Sequence, residues 1–228
     1  MNNRRRFMLA MAPLAVLLSG RTAWSADASS YSEAERLLFA EDHFKSVPAA
    51  TQIDYEYRKR GSLEEEFVDR VRVNVAAKSR TGGRGVKVDF LTGARRMELP
   101  EVKDVDGNPL ILYFLEREVR EMNRLTGGSI NYYRKRIRMA FAEGAQVKPV
   151  ALDIGGKQVQ AREIHIAPYR DDPARPRYEK FAEKTFVLTL ADQVPGSIVE
   201  MRSELLQPVA SGEPTLLLAE SLRYMPRR

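Results

Sequence analysis

The sequence has no cysteine, one tryptophan and only two histidines, His43 and His165. Without cysteine there is no disulfide, no thiolate nucleophile and no cysteine-ligated zinc or iron–sulfur site. The fold must therefore be held by its core alone. A chain of 228 residues allows this, because a domain of about 200 residues buries roughly 70% of the surface that its unfolded chain exposes.

Several motifs of catalysis and nucleotide binding are also missing. There is no Gly-x-Ser-x-Gly elbow, and the glycines at 82–85 lack the lysine of a phosphate loop. No stretch rich in Pro, Gly or Ser divides the chain, which favours one domain. The net charge of +6 includes four arginines within the first 25 residues, and without them +2 remains. This small excess gives no reason to expect nucleic-acid binding.

Residues 1–25 have the pattern of a targeting signal. A basic start is followed by the apolar run 8–18 and by the small residues Ala23 and Ser25. We expect cleavage near Ser25 or Ala28, a mature domain of residues 26–228 and a periplasmic location. The apolar run is broken by Pro13 and is too short for a stable membrane span.

The start of this signal leaves two export routes open. Residues 3–9, Asn-Arg-Arg-Arg-Phe-Met-Leu, resemble the twin-arginine signal, although Asn replaces the usual Ser or Thr. An ordinary secretion signal fits equally well. If the twin-arginine route is used, the protein could be an accessory subunit that is exported already folded.

The stretch from Asn108 to Gly144 is predicted to be helical and to lie at the centre of the fold. Asn108 caps a helix that begins at Pro109, and an apolar stripe follows until the glycines at 127 and 128. The first turn is apolar on every side, which predicts that it is buried. The pairs Glu116–Arg120 and Arg117–Glu121 are typical of a solvated helix face.

Residues 129–143 could form a second helix or a strand. The caps Ser129 and Gly144 favour a helix, while the alternation of apolar residues with arginines is typical of a strand. In a helix, Arg134, Lys135 and Arg138 would share one face. We interpret them as candidates to bind lipid headgroups or an acidic envelope partner, although such a cluster is more often a solvated face.

Alternating patterns on both sides of this stretch predict strands. They fall at residues 53–58, 67–75, 86–90, 147–154, 157–167, 185–190 and 198–203, with a short strand at 97–99 and a last edge strand at 216–224. The apolar parity of 157–167 shifts between Ala161 and Ile164, which predicts a bulge near Arg162. The sequence thus predicts an α+β fold, in which one curved antiparallel sheet of seven to nine strands carries one or two helices on its concave face.

This order of elements resembles the lipoprotein-localisation-factor-like (LolA/LolB-like) periplasmic proteins and related exported proteins. The segments 88–93 and Gly107-Asn108-Pro109 also look family-like. The resemblance implies a half-barrel-like sheet partly filled by helices. It also implies binding of acyl chains, or a role as an envelope chaperone or sensor. It assigns a role to no individual residue.

The leading functional hypothesis is a non-catalytic, soluble periplasmic protein that binds an apolar or acyl ligand or an envelope protein, with no cofactor. Its basis is the one-sided apolar surface of the predicted strands and the shortage of acid–base and metal-binding groups. The candidate ligand-binding residues are Tyr55, Tyr57, Phe67, Val71, Val73, Val88 and Phe90. For any single one of them, packing against the helix is the more common role.

A second hypothesis is a metal-dependent or acid–base hydrolase. It is centred on His165, Asp171 and Asp172, which lie close together along the chain. A histidine with two aspartates can bind a metal ion or hold a proton. This hypothesis requires the three side chains to converge in a cleft.

Overall fold

A computed structural model describes residues 31–48, 50–78, 83–105, 107–209 and 212–226. The predicted signal, residues 1–25, lies outside the described residues, and so does the choice between the two export routes. The strands are β1 (Thr51–Arg60), β2 (Phe67–Lys78), β3 (Arg84–Phe90), β4 (Val102–Val105), β5 (Gln146–Ile154), β6 (Lys157–Ile166), β7 (Thr185–Leu190), β8 (Ile198–Gln207) and β9 (Thr215–Tyr224). The helices are α1 (Glu33–Glu35), its π-helical continuation (Arg36–Ala40), α2 (Pro109–Thr126), α3 (Ile130–Glu143) and the short 3₁₀ helices Gly93–Arg95, Arg175–Arg177 and Glu179–Glu183.

The nine strands form one sheet in the order β4-β3-β2-β1-β9-β8-β7-β6-β5, and all neighbours are antiparallel. This confirms the predicted α+β fold with a single curved, unclosed sheet. The prediction that the last strand is an edge strand is wrong, because β9 lies between β1 and β8. Four consecutive buried residues, 217–220, fit a strand that is covered on both faces.

The two long helices begin where the sequence predicts. The Asn108 side chain accepts a hydrogen bond from the Leu110 N–H at 3.1 Å, and Gly127 ends α2 with a φ of 72°. Ser129 caps α3, which confirms the helix over the strand for this segment. Because β4 and β5 are the two edges of the sheet, α2 and α3 connect one edge to the other. None of the helices in the described part of the chain is both long and apolar enough to cross a membrane.

Helix α2 fills the concave side of the sheet. Its residues Leu110, Ile111 and Phe114 are fully buried and share one core cluster with residues of β1, β2 and β3. The first turn is not buried all round, however, because the Leu112 side chain is 58% exposed. The turn is therefore apolar on two separate surfaces, and only one of them faces the sheet.

The predicted bulge in β6 is absent, because β6 keeps an unbroken register with both β5 and β7. The shift in apolar parity has another cause. Ile164 and Ile166 face the main core, whereas Val159 and Ala161 lie on the opposite face of the sheet, in a second apolar cluster. A strand with apolar contacts on both faces changes parity without an inserted residue.

The predicted short strand at residues 97–99 is also wrong. Met97 makes only an isolated bridge to Phe90, and the fourth strand is β4, at Val102–Val105. The apolar residues Met97 and Leu99 pack, partly buried, against the main core.

Asn108 fixes the start of α2 through three contacts. Besides capping the helix, its side-chain N–H donates to the Gly196 carbonyl at 2.9 Å, and its backbone N–H donates to His43 Nδ1 at 2.9 Å. His43 Nε2 therefore donates to the Leu37 carbonyl, at 2.8 Å. Gly196 has a φ of 74°, and a Cβ on it would lie only 3.0 Å from the Asn108 amide nitrogen. These contacts join α2 to the N-terminal segment and to the β7–β8 turn.

The flank of α2 that faces β1 and β9 carries buried charges. Arg117 does not pair with Glu121 as predicted; it donates instead to Glu220, with Nε 2.9 Å from the carboxylate. Glu121 pairs with Lys59 at 3.0 Å. The predicted Glu116–Arg120 pair is present, at 3.4 Å on the exposed side. The expectation of a solvated face thus holds for one pair and fails for the other.

A second buried ion pair lies deeper under α2. The Glu118 carboxylate contacts Lys184 Nζ and accepts a hydrogen bond from Ser203 Oγ at 2.9 Å. Glu118 and Lys184 are both fully buried. Removing one partner of such a pair leaves an uncompensated charge, which is far more costly than the pair itself. These contacts therefore specify the orientation of α2 on the sheet.

The Asn108 anchor gives a first prediction. We expect Asn108→Ala to lower the free energy of unfolding by about 2–3 kcal/mol, because the helix loses its cap and the Gly196 carbonyl loses its buried donor. Ser129→Ala, which removes the more exposed cap of α3, is the matched control and should cost about 0.5–1 kcal/mol. Urea denaturation of both variants measures the difference. Equal losses would contradict the role of Asn108 as an anchor.

Glu121 gives a pH-dependent prediction. Burial alone would raise the pKa of Glu121, but hydrogen bonds from Arg124 and Lys59 outweigh it and lower the pKa to about 2. Because the folded pKa is depressed, this carboxylate stabilises the fold above its ordinary value of 4.5, and the contribution is lost as the pH falls towards 2. Allowing for solvent screening, Glu121→Gln should therefore cost about 1–3 kcal/mol at pH 7 and less than half as much at pH 3.

Urea denaturation at both pH values measures this loss. The control is Glu98→Gln, because the Glu98 side chain is 88% exposed, and it should change stability by less than about 0.5 kcal/mol at either pH. If Glu121→Gln lost the same stability at pH 3 as at pH 7, the pH dependence would not come from this carboxylate.

Candidate functional site

An apolar groove runs over the outer surface of the helices, between the π-helical turn, α2 and α3. Its volume is about 500 Å³. Two of its large apolar side chains, Leu112 and Phe39, are 58% and 43% exposed. The groove is lined by Glu35, Phe39, Leu112, Tyr113, Leu115, Glu116, Val119, Arg134, Ile137, Arg138 and Phe141. We call this surface the helical groove.

Helical periodicity explains how α2 contributes to the helical groove. Leu112, Leu115 and Val119 are three and four residues apart, so they form a stripe beside the one that packs on the sheet. Residues of α3 have the same spacing. Ile137 and Phe141 are four apart, and both are buried at the base of the groove. The two helix faces meet along their edges and leave an open channel above them.

The π-helical turn closes one side of the helical groove. It places Phe39 edge-on to Phe141, with ring centroids 6.0 Å apart. The Ser32 hydroxyl donates to the Phe141 carbonyl at 2.8 Å, which holds the N-terminal segment on α3. A π-helical turn has a wider ring than an α-helical turn and is frequent at functional sites.

The charged residues at the rim differ in how far they are neutralised. Arg134 Nη2 donates to both oxygens of the Glu116 carboxylate, at 2.8 and 2.9 Å. This bidentate contact raises the pKa of Arg134. Glu35 accepts a hydrogen bond from the Ser32 backbone N–H at 3.0 Å, as part of a capping box. Arg138 is exposed and makes no ion pair with any residue in the described ranges.

The structure separates the two sets of predicted binding residues. Arg134 and Arg138 line the helical groove, and Lys135 is exposed beside them on α3. The predicted lining residues of the sheet lie elsewhere. Tyr55, Tyr57, Val71, Val73, Val88 and Phe90 are buried in the main core with residues of α2, and Phe67 packs against it partly buried. Ligand binding by these seven residues stays a prediction, and it would require α2 to move.

The hydrolase hypothesis depends on His165, Asp171 and Asp172. His165 and Asp171 line one open polar cavity of about 690 Å³. The His165 ring contacts the Glu163 carboxylate. Within the part of the chain that the structure describes, no three His, Asp or Glu side chains form a group that could hold a metal ion.

Asp172 has other partners and does not line that cavity. Its carboxylate accepts hydrogen bonds from the Tyr132 hydroxyl and from the Ala174 N–H, the latter at 2.7 Å, and it pairs with Arg136 at 2.9 Å. Burial opposes ionisation, but hydrogen bonds from Tyr132 and Tyr178 keep the pKa of Asp172 below its ordinary value. These contacts attach the loop after β6 to α3, which is a structural role.

The residues that open the helical groove are not among the binding residues that the sequence predicts. The prediction that the whole first turn of α2 is buried includes Leu112, and Phe39 lies in a segment with weak periodicity. The signal that could have found Leu112 is its spacing, since it heads a second stripe with Leu115 and Val119. No comparable pattern marks Phe39, because its position depends on the π-helical turn.

Comparison with known proteins gave two structural similarities. No family model matches the chain, and no curated protein sequence matches it. The lipoprotein LppX of Mycobacterium tuberculosis matches over 81% of this chain and 88% of its own, with 10% identity and a TM-score of 0.31. A LolA superfamily protein of Nitrosomonas europaea matches over 85% of this chain and 91% of its own, with 11% identity and a TM-score of 0.21. The function proposed below therefore rests on the chain's own residues.

Proposed function

We propose that this chain is a non-catalytic binding protein that holds an apolar, acyl-type ligand in the helical groove. The observation that carries the proposal is the exposure of Leu112 and Phe39 over a base of buried apolar side chains. Small-molecule sites have volumes of about 300–1,000 Å³ and mainly apolar linings with a few polar groups. The helical groove, at about 500 Å³, has both properties.

A bound aliphatic chain would cover apolar surface that the fold leaves in water. Burial of apolar surface contributes about 25 cal/mol per Å² removed from water. Leu112 and Phe39 lie on the same groove, so one ligand could cover both of them. Scattered exposed apolar residues are ordinary on proteins, but a contiguous patch with a polar rim is typical of a binding site.

The cellular location is part of the proposal. The targeting pattern of residues 1–25 supports export. A location in the periplasm would bring the helical groove into the compartment between two membranes, where single acyl chains need a protein to shield them from water. Fractionation of cells that express the full chain tests this location, and retention in the cytoplasm would contradict it.

The binding prediction uses a neutral apolar probe, dodecanol, measured by displacement of a fluorescent apolar dye. We expect the wild-type chain to bind dodecanol and Leu112→Glu to bind it at least tenfold more weakly, because a carboxylate in the groove would have to be desolvated by the ligand. The matched control is Val68→Glu, since the Val68 side chain is 55% exposed on β2, outside the groove.

Both variants change an exposed position, so denaturation curves should show them folded with nearly wild-type stability. Val68→Glu should bind dodecanol as the wild type does. The proposed function is wrong if the wild-type chain binds no dodecanol, or if the two variants lose affinity equally.

A further inference from the structure

We infer that the ligand of the helical groove is a single-chain amphiphile with an anionic headgroup, and that Arg138 binds this headgroup at the rim. The inference rests on the proposed function and adds the chemistry of the polar end. It concerns a surface on the outer side of the helices, distinct from the concave face of the sheet, which α2 fills.

Three of the four charged groups that line the groove have partners within the protein. Its lining contains two acids, Glu35 and Glu116, and two bases, Arg134 and Arg138. Glu116 forms an ion pair with Arg134, and Arg120 also contacts the Glu116 carboxylate at 3.4 Å. The Glu35 carboxylate accepts a hydrogen bond from the backbone N–H of Ser32, the N-cap of α1.

Arg138 differs from these three groups. It lies one turn after Arg134 on α3, and within the described segments it has neither an ion pair nor a side-chain hydrogen bond to the protein. Lys135, three residues earlier, is likewise exposed and without an ion pair among the residues described. Residues three apart on a helix are neighbours, so these two cations can act on one headgroup.

Arg138 lies beside the apolar surface of the groove. Arg138 directly follows Ile137, which is buried at the base of the groove, and Phe141 lies three residues further on the same face. A ligand whose aliphatic chain lies over these residues therefore has its end close to the guanidinium. Arginine binds carboxylates and phosphates through two parallel N–H donors, which favours an anionic headgroup over a hydroxyl.

The shape of the apolar surface favours a single amphiphile over a membrane surface as the partner. The large exposed apolar residues at the groove are Phe39 and Leu112, and both face one channel instead of spreading over a flat surface. A helix that lies on a membrane exposes a whole apolar face together with a basic one. The apolar face of α3 is instead buried, at Tyr133, Ile137 and Phe141. The geometry thus favours one chain in a channel.

The test compares dodecanoate with dodecanol, both below the concentrations at which they aggregate. We expect the wild-type chain to bind dodecanoate about tenfold more tightly at low ionic strength, which is the order of one charge-assisted hydrogen bond. Arg138→Gln should reduce this preference to about twofold, by weakening the binding of dodecanoate more than that of dodecanol. The control Arg60→Gln removes an exposed arginine at the end of β1, outside the groove, and should keep the tenfold preference.

The outcomes separate the two proposals. If the wild type binds both ligands equally, or if Arg138→Gln keeps the preference, the headgroup inference is overturned while the proposed function stands. If the wild type binds neither ligand, the proposed function itself fails. Co-sedimentation with vesicles of anionic phospholipid gives a third result. The wild type should stay in solution, and binding to vesicles that Leu112→Glu abolishes would point to a membrane surface instead of a single amphiphile.

Discussion

The packing of α2 against the concave face of the sheet is the constraint on which the rest of the structure depends. The sheet is unclosed, and the chain between its two edge strands crosses that face. One flank of α2 supplies apolar side chains such as Phe114, and another supplies the carboxylates of Glu118 and Glu121. Glu121 pairs with Lys59 of β1, and Glu118 pairs with Lys184, which directly precedes β7. Since a buried charge without a partner is very costly, α2 has one favourable orientation.

This orientation decides where apolar surface remains available. Helix α2 covers the apolar side of the strands. The main contribution of Tyr55, Val71 and Phe90 is therefore to the stability of the core. The apolar residues of α2 that point away from the sheet, above all Leu112, are left on the outer surface. Together with α3 and the π-helical turn they form the helical groove. The same helix therefore fills one potential site and creates another.

The sequence predicts local features well and long-range features poorly. The caps Asn108 and Ser129 and the alternation of the strands are local patterns. They predict α2 and the single antiparallel sheet, and they leave residues 129–143 open between a helix and a strand. The central position of β9 depends on its pairing with β1, more than 150 residues earlier in the chain, which no local pattern encodes. The burial of Glu121 and the exposure of Leu112 likewise depend on how α2 is turned on the sheet. Two residues that line the helical groove, Arg134 and Arg138, are already candidates in the sequence, because a cluster of cations on one helix face is itself a local pattern.

Photo-crosslinking tests most directly whether the ligand lies outside the sheet. A dodecanoate analogue with a diazirine near the end of its chain would be irradiated with the protein, and the modified peptides identified by mass spectrometry. The account predicts crosslinks to the segments that contain Phe39, Leu112 and Ile137, with none to β1, β2 or β3. Crosslinks concentrated on Tyr55, Val73 or Val88 would show instead that α2 moves aside and that the ligand enters the concave face.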